Sequence, residues 1–193
     1  MIPADIFFII LAYILGSIPV GVIITRSLSP ETDLQKEGSG NIGATNVSRL
    51  IGRTAGIMTL AGDILKGFIA VLLTRLFVDA TLSICLVMLA AFLGHCFSIF
   101  LKFRGGKGVA TTYGIYLAVS PLIAVFAMFV NALVIYFGKI SSLGSLIGMT
   151  TLFVIFLFSG FPFLYVVTTA IIVVLVFYRH RTNIKELMEK WKS

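Results

Sequence analysis

Four apolar runs, Ile2 to Thr25, Thr54 to Val78, Thr81 to Leu101 and Phe161 to Tyr178, are each long enough to cross a membrane as a helix, and their length decides what this chain can fold into. A bilayer core of about 30 Å takes about 20 helical residues. The stretch from Val109 to Phe137 is too long for one crossing and carries Ser120-Pro121 inside it, which predicts a tight turn between a short helix and a longer one. Ser145 to Phe158 adds a crossing that Ser159-Gly160-Phe161-Pro162 ends. The expected fold is an all-α polytopic membrane protein of seven transmembrane helices, in a single domain over residues 1–193. Five crossings is the alternative, with the broken segments as re-entrant or single long helices. The 59% hydrophobic and 12% charged residues, with a mean hydropathy of +1.07, leave too little polar surface to cover a water-soluble core.

A formal charge of +7 would also suit a nucleic-acid binder, but the basic residues fall in the breaks between apolar runs. With the N-terminus outside, the loops at 26–53, 102–108 and 138–144 and the tail from Arg179 are cytoplasmic. They hold 13 of the 15 Lys and Arg, all but Lys66 and Arg75, while Asp5 and Asp79 fall outside. This is the positive-inside pattern, and it puts the C-terminus in the cytoplasm. Asp5 stands at the start of the first run, where a signal peptide would have basic residues, so that run is read as a retained helix. Cys85 and Cys96 share one apolar run without metal-ligand spacing and are read as small buried hydrophobes. In the tail, Asn183 is placed to cap a short helix with Glu186 three residues on. Ile184, Leu187, Met188 and Trp191 then share one face and Lys185, Lys190 and Lys192 the rest, so residues 183–193 are expected to lie along the inner membrane surface. The close spacings Gly52/Gly56 and Gly144/Gly148 are read as helix-packing positions.

Three cytoplasmic segments concentrate hydrogen-bond donors. The first is Gly38-Ser39-Gly40-Asn41-Ile42-Gly43-Ala44-Thr45-Asn46, followed by Arg49 on the first turn of a helix. Glycines let backbone N–H groups turn toward one point, and the polar side chains add donors, so this loop suits an anion held against the bilayer. The second runs from Lys102 through Arg104, Gly105, Gly106, Lys107 and Gly108, and the third from Arg179 through His180 to Asn183. Plainer readings are a flexible connection, a positive-inside anchor with a turn, and a helix-end anchor. No G-x-x-x-x-G-K-[ST] occurs, which argues against ATP hydrolysis. Asp63 and Lys66, three apart in an apolar run, would each cost about 2.5 to 3.5 kcal/mol alone and face each other as an ion pair, with Lys66 reaching the basic pocket as the functional alternative. His95 either faces that pocket or is a core histidine bonded to a backbone carbonyl. Neither histidine begins an H-x-x-x-x-D motif, and no Asp or Glu is obviously placed to orient either imidazole. An organic-phosphate transporter would share the basic pocket, but here the polar groups gather at one face rather than at the midplane. A CDP-alcohol phosphotransferase would need paired acidic metal ligands that this chain lacks.

In Gly16-Ser17-Ile18-Pro19-Val20-Gly21, the Gly38 to Arg49 loop, Asp63 to Gly67, Gly94-His95, Phe103 to Thr112 and Arg179 to Asn183, the chain resembles the bacterial membrane-integral glycerol-3-phosphate acyltransferases that use acyl phosphate. The resemblance implies transfer of a fatty acyl group from acyl phosphate to the 1-hydroxyl of sn-glycerol 3-phosphate, the first acylation of phospholipid synthesis, in the bacterial inner membrane. It places the family's motifs on Ser39, Asn41, Thr45, Asn46 and Arg49, on Gly105, Gly106, Lys107 and Gly108, and on His180 and Asn183. Ser142 occupies a further similar position. Of these, Ser39, Asn46, Arg49, Lys107, His180 and Asn183 are expected to act in catalysis, and Gly38, Gly40, Gly43, Lys66, His95 and Arg104 join the rest in substrate binding. Acyl phosphate is already activated, so the reaction demands neither metal nor cofactor. The implied partners are the two substrates, membrane lipid and an enzyme that produces acyl phosphate.

Overall fold

The computed structural model describes residues 3–191, so Ile2 and Lys192, at the ends of the expected first run and tail helix, lie outside the described residues. Among the described residues ten α-helices follow in order: α1 Pro3–Ser17, α2 Val20–Leu28, α3 Ala44–Leu50, α4 Arg53–Arg75, α5 Thr81–Cys96, α6 Val109–Val119, α7 Pro121–Gly138, α8 Ser141–Phe158, α9 Phe163–Arg179 and α10 Arg181–Lys190. A short 3₁₀ turn, Ile99–Leu101, extends α5. No strand occurs among the described residues. Among the described residues, five segments are long and apolar enough to cross a membrane: Ala4–Leu28, α4, Thr81–Leu101, α7 and α8; α9 and α10 make a sixth if this pair, bent by 58°, is one span. At 11 residues, α6 measures about 16 Å, half a bilayer core. It is a buried helix, with Thr111, Thr112, Ile115 and Tyr116 fully inaccessible.

The chain forms two compact units, residues 1–119 and 120–193. They divide at Ser120-Pro121, where Pro121 opens α7. In the first unit α4 lies against α6, and α1 against α5. Small residues make both approaches possible. A Cβ on Gly67 or Gly114 would come within 3.0 Å of the facing backbone of α6 or α4, and one on Gly16 or Gly94 within 3.0 Å of α5 or α1. In the second unit Gly144 brings α8 onto Asn131 and Ile135 of α7. Gly52 has no neighbour for packing; its φ of +113° makes the turn between α3 and α4 instead. The outward faces are apolar, as Ile6, Phe7, Ile10 and Ile14 on α1 illustrate, and suit lipid contact.

The expected first run, Ile2 to Thr25, is broken. Pro19 has no N–H to continue the ladder, so α1 stops at Ser17 and α2 starts at Val20. At the break the Ile18 carbonyl accepts the Val20 N–H at 3.0 Å and also Lys66 Nζ, at 2.7 Å. Arg75 does the same at the end of α6, donating to the Ala118 carbonyl. Thus the two cations outside the basic loops both serve carbonyls at helix ends. The tail differs in detail from expectation: His180, not Asn183, precedes α10, and Asn183 lies in its first turn. Ile184 and Leu187 are half-buried, while Lys185, Glu186, Met188 and Trp191 are exposed.

Candidate active site

The first glycine loop is held from inside by Asn46, which is 1% exposed. Its Oδ1 accepts the Ser39 N–H at 2.9 Å, and its Nδ2 donates to the carbonyls of Leu34 at 3.3 Å and Glu37 at 3.1 Å. The Gly40 N–H donates to the Glu37 carbonyl. Beneath, Leu34, Ile42, Val47 and Ala55 form an apolar cluster that ties the loop to α3 and α4. Two loop amides, those of Ser39 and Gly40, are therefore used by the loop itself. What it offers outward are the exposed side chains of Ser39, Thr45 and Arg49, beside half-buried Asn41 and Gly43. Arg49 sits in the last turn of the short helix α3, not in a first turn, because α3 ends at Leu50 before Gly52. Asn46→Ala would take the side-chain donor from the buried Leu34 carbonyl, at about 1 to 3 kcal/mol, and release the Ser39 N–H, while the Glu37 carbonyl keeps the Gly40 N–H. The expected result is at least a roughly tenfold loss of activity with faster amide exchange at Ser39 while the α4 amides stay protected.

The second loop is spliced to the end of α5. Gly105 and Gly106 donate their N–H groups to the carbonyls of Cys96 at 3.1 Å and His95 at 3.0 Å. A Cβ on Gly105, Gly106 or Gly108 would come within 3.0 Å of the His95 carbonyl, the His95 ring or the Phe92 ring. These glycines permit close approach to α5; the amides of Gly105 and Gly106 do not form an open cradle. Arg104 is exposed and Lys107 half-buried. Gln35 joins the two loops, its Nε2 donating to the Arg104 carbonyl at 2.8 Å. A bond from the Gln35 N–H to Asp33 Oδ1 fixes the Gln35 backbone and, with Lys36 alongside, holds the Asp33 carboxyl below its ordinary range.

Below the loops, Asp63, Lys66, His95 and Thr111 meet from α4, α5 and α6. Asp63 Oδ1 lies 2.8 Å from Lys66 Nζ and 3.5 Å from His95 Nδ1, and Thr111 Oγ1 lies 3.1 Å from the same Nδ1. All four are at most 6% exposed. The expected ion pair is present. The expectation that no carboxylate orients a histidine is overturned, because the packing of α4 beside α5 brings Asp63 to His95. Thr111 and Gln35 were not singled out from the sequence. Thr111 opens a helix with no polar pattern, and Gln35 lies in a segment without a motif, so no local signal marks either.

In the second unit, His180 is 3% exposed at the bend between α9 and α10. Its Nδ1 is 2.8 Å from the Val176 carbonyl, and its carbonyl accepts the Ile184 N–H that begins α10. Arg181 lies over the Tyr178 ring at 4.6 Å and is exposed, while Asn183 is half-buried. Ser142 is half-buried in the first turn of α8.

Membrane-length helices joined by basic loops that buried polar residues brace define an all-helical integral membrane protein. The sequence pattern of the family described as Glycerol-3-phosphate acyltransferase matches residues 6–190. Relatives called glycerol-3-phosphate acyltransferase in Syntrophotalea carbinolica and Endomicrobium trichonymphae are each 44% identical, over 92% and 96% of this chain and 90% and 92% of theirs. A crystal structure of PlsY, an integral membrane glycerol 3-phosphate acyltransferase, in its glycerol 3-phosphate form superposes with a TM-score of 0.92 at 37% identity, covering 96% of this chain and 92% of that one. Its lysophosphatidic acid form gives 0.88 at 36% identity over the same shares. The chain belongs to the glycerol-3-phosphate acyltransferase family and is an acyltransferase of phospholipid biosynthesis.

Proposed function

We propose that this protein transfers a fatty acyl group from acyl phosphate to the 1-hydroxyl of sn-glycerol 3-phosphate, giving 1-acylglycerol 3-phosphate and inorganic phosphate. The reading places the chain in the bacterial inner membrane with seven crossings, the N-terminus outside and the loops of the first unit facing the cytoplasm. The observation that carries it is the Gln35 bond to the Arg104 carbonyl, which ties together two loops bearing Arg49, Arg104 and Lys107. Two phosphate-bearing substrates need two anion subsites, and the two tied loops supply them. Ser39, Thr45 and Arg49 meet one phosphate, Lys107 and Arg104 the other, and Asn46 keeps the first loop in shape. His180, Asn183 and Ser142 are assigned to substrate by the family pattern.

In the chemical step the 1-hydroxyl oxygen forms a bond to the acyl carbonyl carbon, and the bond from that carbon to the phosphate oxygen breaks. The hydroxyl proton passes to the departing phosphate, whose oxygens are the closest bases. Catalysis is then proximity and charge stabilisation by the loops, with no covalent enzyme intermediate. The acyl chain enters from the bilayer, and an enzyme that makes acyl phosphate supplies the donor. The test is to follow phosphate release and lysophosphatidate formation by purified protein with glycerol 3-phosphate and palmitoyl phosphate. Equimolar products from acyl phosphate, and none from acyl-CoA or acyl-carrier protein, are expected; product from a thioester donor alone would overturn the donor assignment.

A further inference from the structure

The Asp63–Lys66 ion pair would be electrically complete without His95, yet the imidazole is packed against it. Burying a third ionisable group in a membrane protein is costly, so its place calls for a role. Nδ1 faces Thr111 Oγ1 at 3.1 Å and Asp63 Oδ1 at 3.5 Å, which orients the ring. The opposite edge, Nε2, then lies against Gly106, closely enough that a Cβ there would fall within 3.0 Å of it. The carbonyl of His95 also accepts the Gly106 N–H at 3.0 Å. Ring and backbone of one residue therefore grip the same glycine, and the next residue is Lys107.

We propose that His95, oriented by Asp63 and Thr111, is a positioning residue that sets the Gly105 to Gly108 loop, and through it Lys107, without touching either substrate. A carboxylate that fixes an imidazole, which in turn fixes a binding group, is the way supporting shells hold a site to a fraction of an ångström. The buried His95 ring thus serves the loop rather than a phosphate directly. The effect on Lys107 rests on the acyl-transfer reading; the grip on the loop does not.

The test uses full-length His95→Asn and the milder, near-isosteric Thr111→Val, with two readouts. Amide exchange is followed at Gly105 and Gly106, and KM and kcat are measured for glycerol 3-phosphate and palmitoyl phosphate. In His95→Asn, exchange at both glycines is expected to quicken about tenfold while α1 stays protected. KM for one phosphate substrate should rise about tenfold with kcat within about threefold, and the pH profile should keep its shape. Thr111→Val should shift the same quantities in the same direction by about threefold. Unchanged exchange at the two glycines would overturn the proposal. So would a collapse of kcat with a lost limb of the pH profile, which would make His95 a proton-transfer group, or loss of protection throughout α4 and α5 in Thr111→Val, which would reduce it to a fold element. Wild-type protein that forms no product, with exchange following expectation, would leave the positioning role standing and remove the acyl-transfer reading instead.

Discussion

Gly105→Ala is expected to lose at least about 100-fold in acyl-transfer rate while the protein still inserts and folds. The added methyl would come within 3.0 Å of the His95 carbonyl and of the Cys96 backbone, and neither is a flexible side chain that can swing away. Ordinary contact begins near 3.4 Å, so loop and helix must part by on the order of 1 Å, a displacement that can cost about 100-fold when it moves a substrate-binding group. The loop is the weaker partner, since α5 is packed along α1. Gly106→Ala should behave alike, because the ring it meets is pinned at Nδ1. Gly138→Ala is the control: no atom lies within 4 Å of its added carbon, and it should match the wild type. Initial rates of the three purified variants, with amide exchange confirming intact spans, decide the matter. A fully active Gly105→Ala would separate the second loop from catalysis.

That the chain is an all-helical membrane protein was legible because it rests on run length, a property written along the chain. Ser120-Pro121 announced its own turn in the same way. The break at Ile18-Pro19 was not drawn because the run continues apolar on both sides and long enough to cross; only Pro19 marked it. Both glycine loops were recognised, the first with its glycines read as freeing amides for a ligand and the second as a basic loop or a positive-inside anchor with a turn. The structure uses the amides of Ser39, Gly40, Gly105 and Gly106 internally, and the second loop's glycines answer a steric demand from Phe92, His95 and Cys96, residues that precede it in another element. Asn46 likewise matched a motif without disclosing that its amide faces the loop. The cluster of Asp63 and His95 is 32 positions apart in sequence, beyond any periodicity, and only the cost of isolated charges in an apolar span hinted that the two would meet.

That cost gives the second large expected effect. Asp63→Asn alone leaves the Lys66 ammonium buried without its counter-charge, and breaking a buried pair from one side destabilises by about 3 to 5 kcal/mol. Cys85 and Cys96 are buried, so a thiol-reactive dye reports unfolding on heating without a new label. The single variant should unfold at clearly lower temperature than the wild type. Asp63→Asn combined with Lys66→Met removes both charges, keeps an oxygen facing His95 Nδ1, and should recover most of the loss. Recovery stops short of complete because the Ile18 carbonyl at the break between α1 and α2 loses the charged Lys66 donor while keeping the Val20 N–H; a hydrogen bond to a charged group is worth about 1.5 to 3 kcal/mol. Activity of the double variant then separates the two readings of Lys66. If the lysine serves the ion pair and the helix break, a refolded double variant turns over substrate at near wild-type KM. If its ammonium reaches a substrate phosphate, the double variant is stable yet shows a raised KM that no second change at Asp63 repairs.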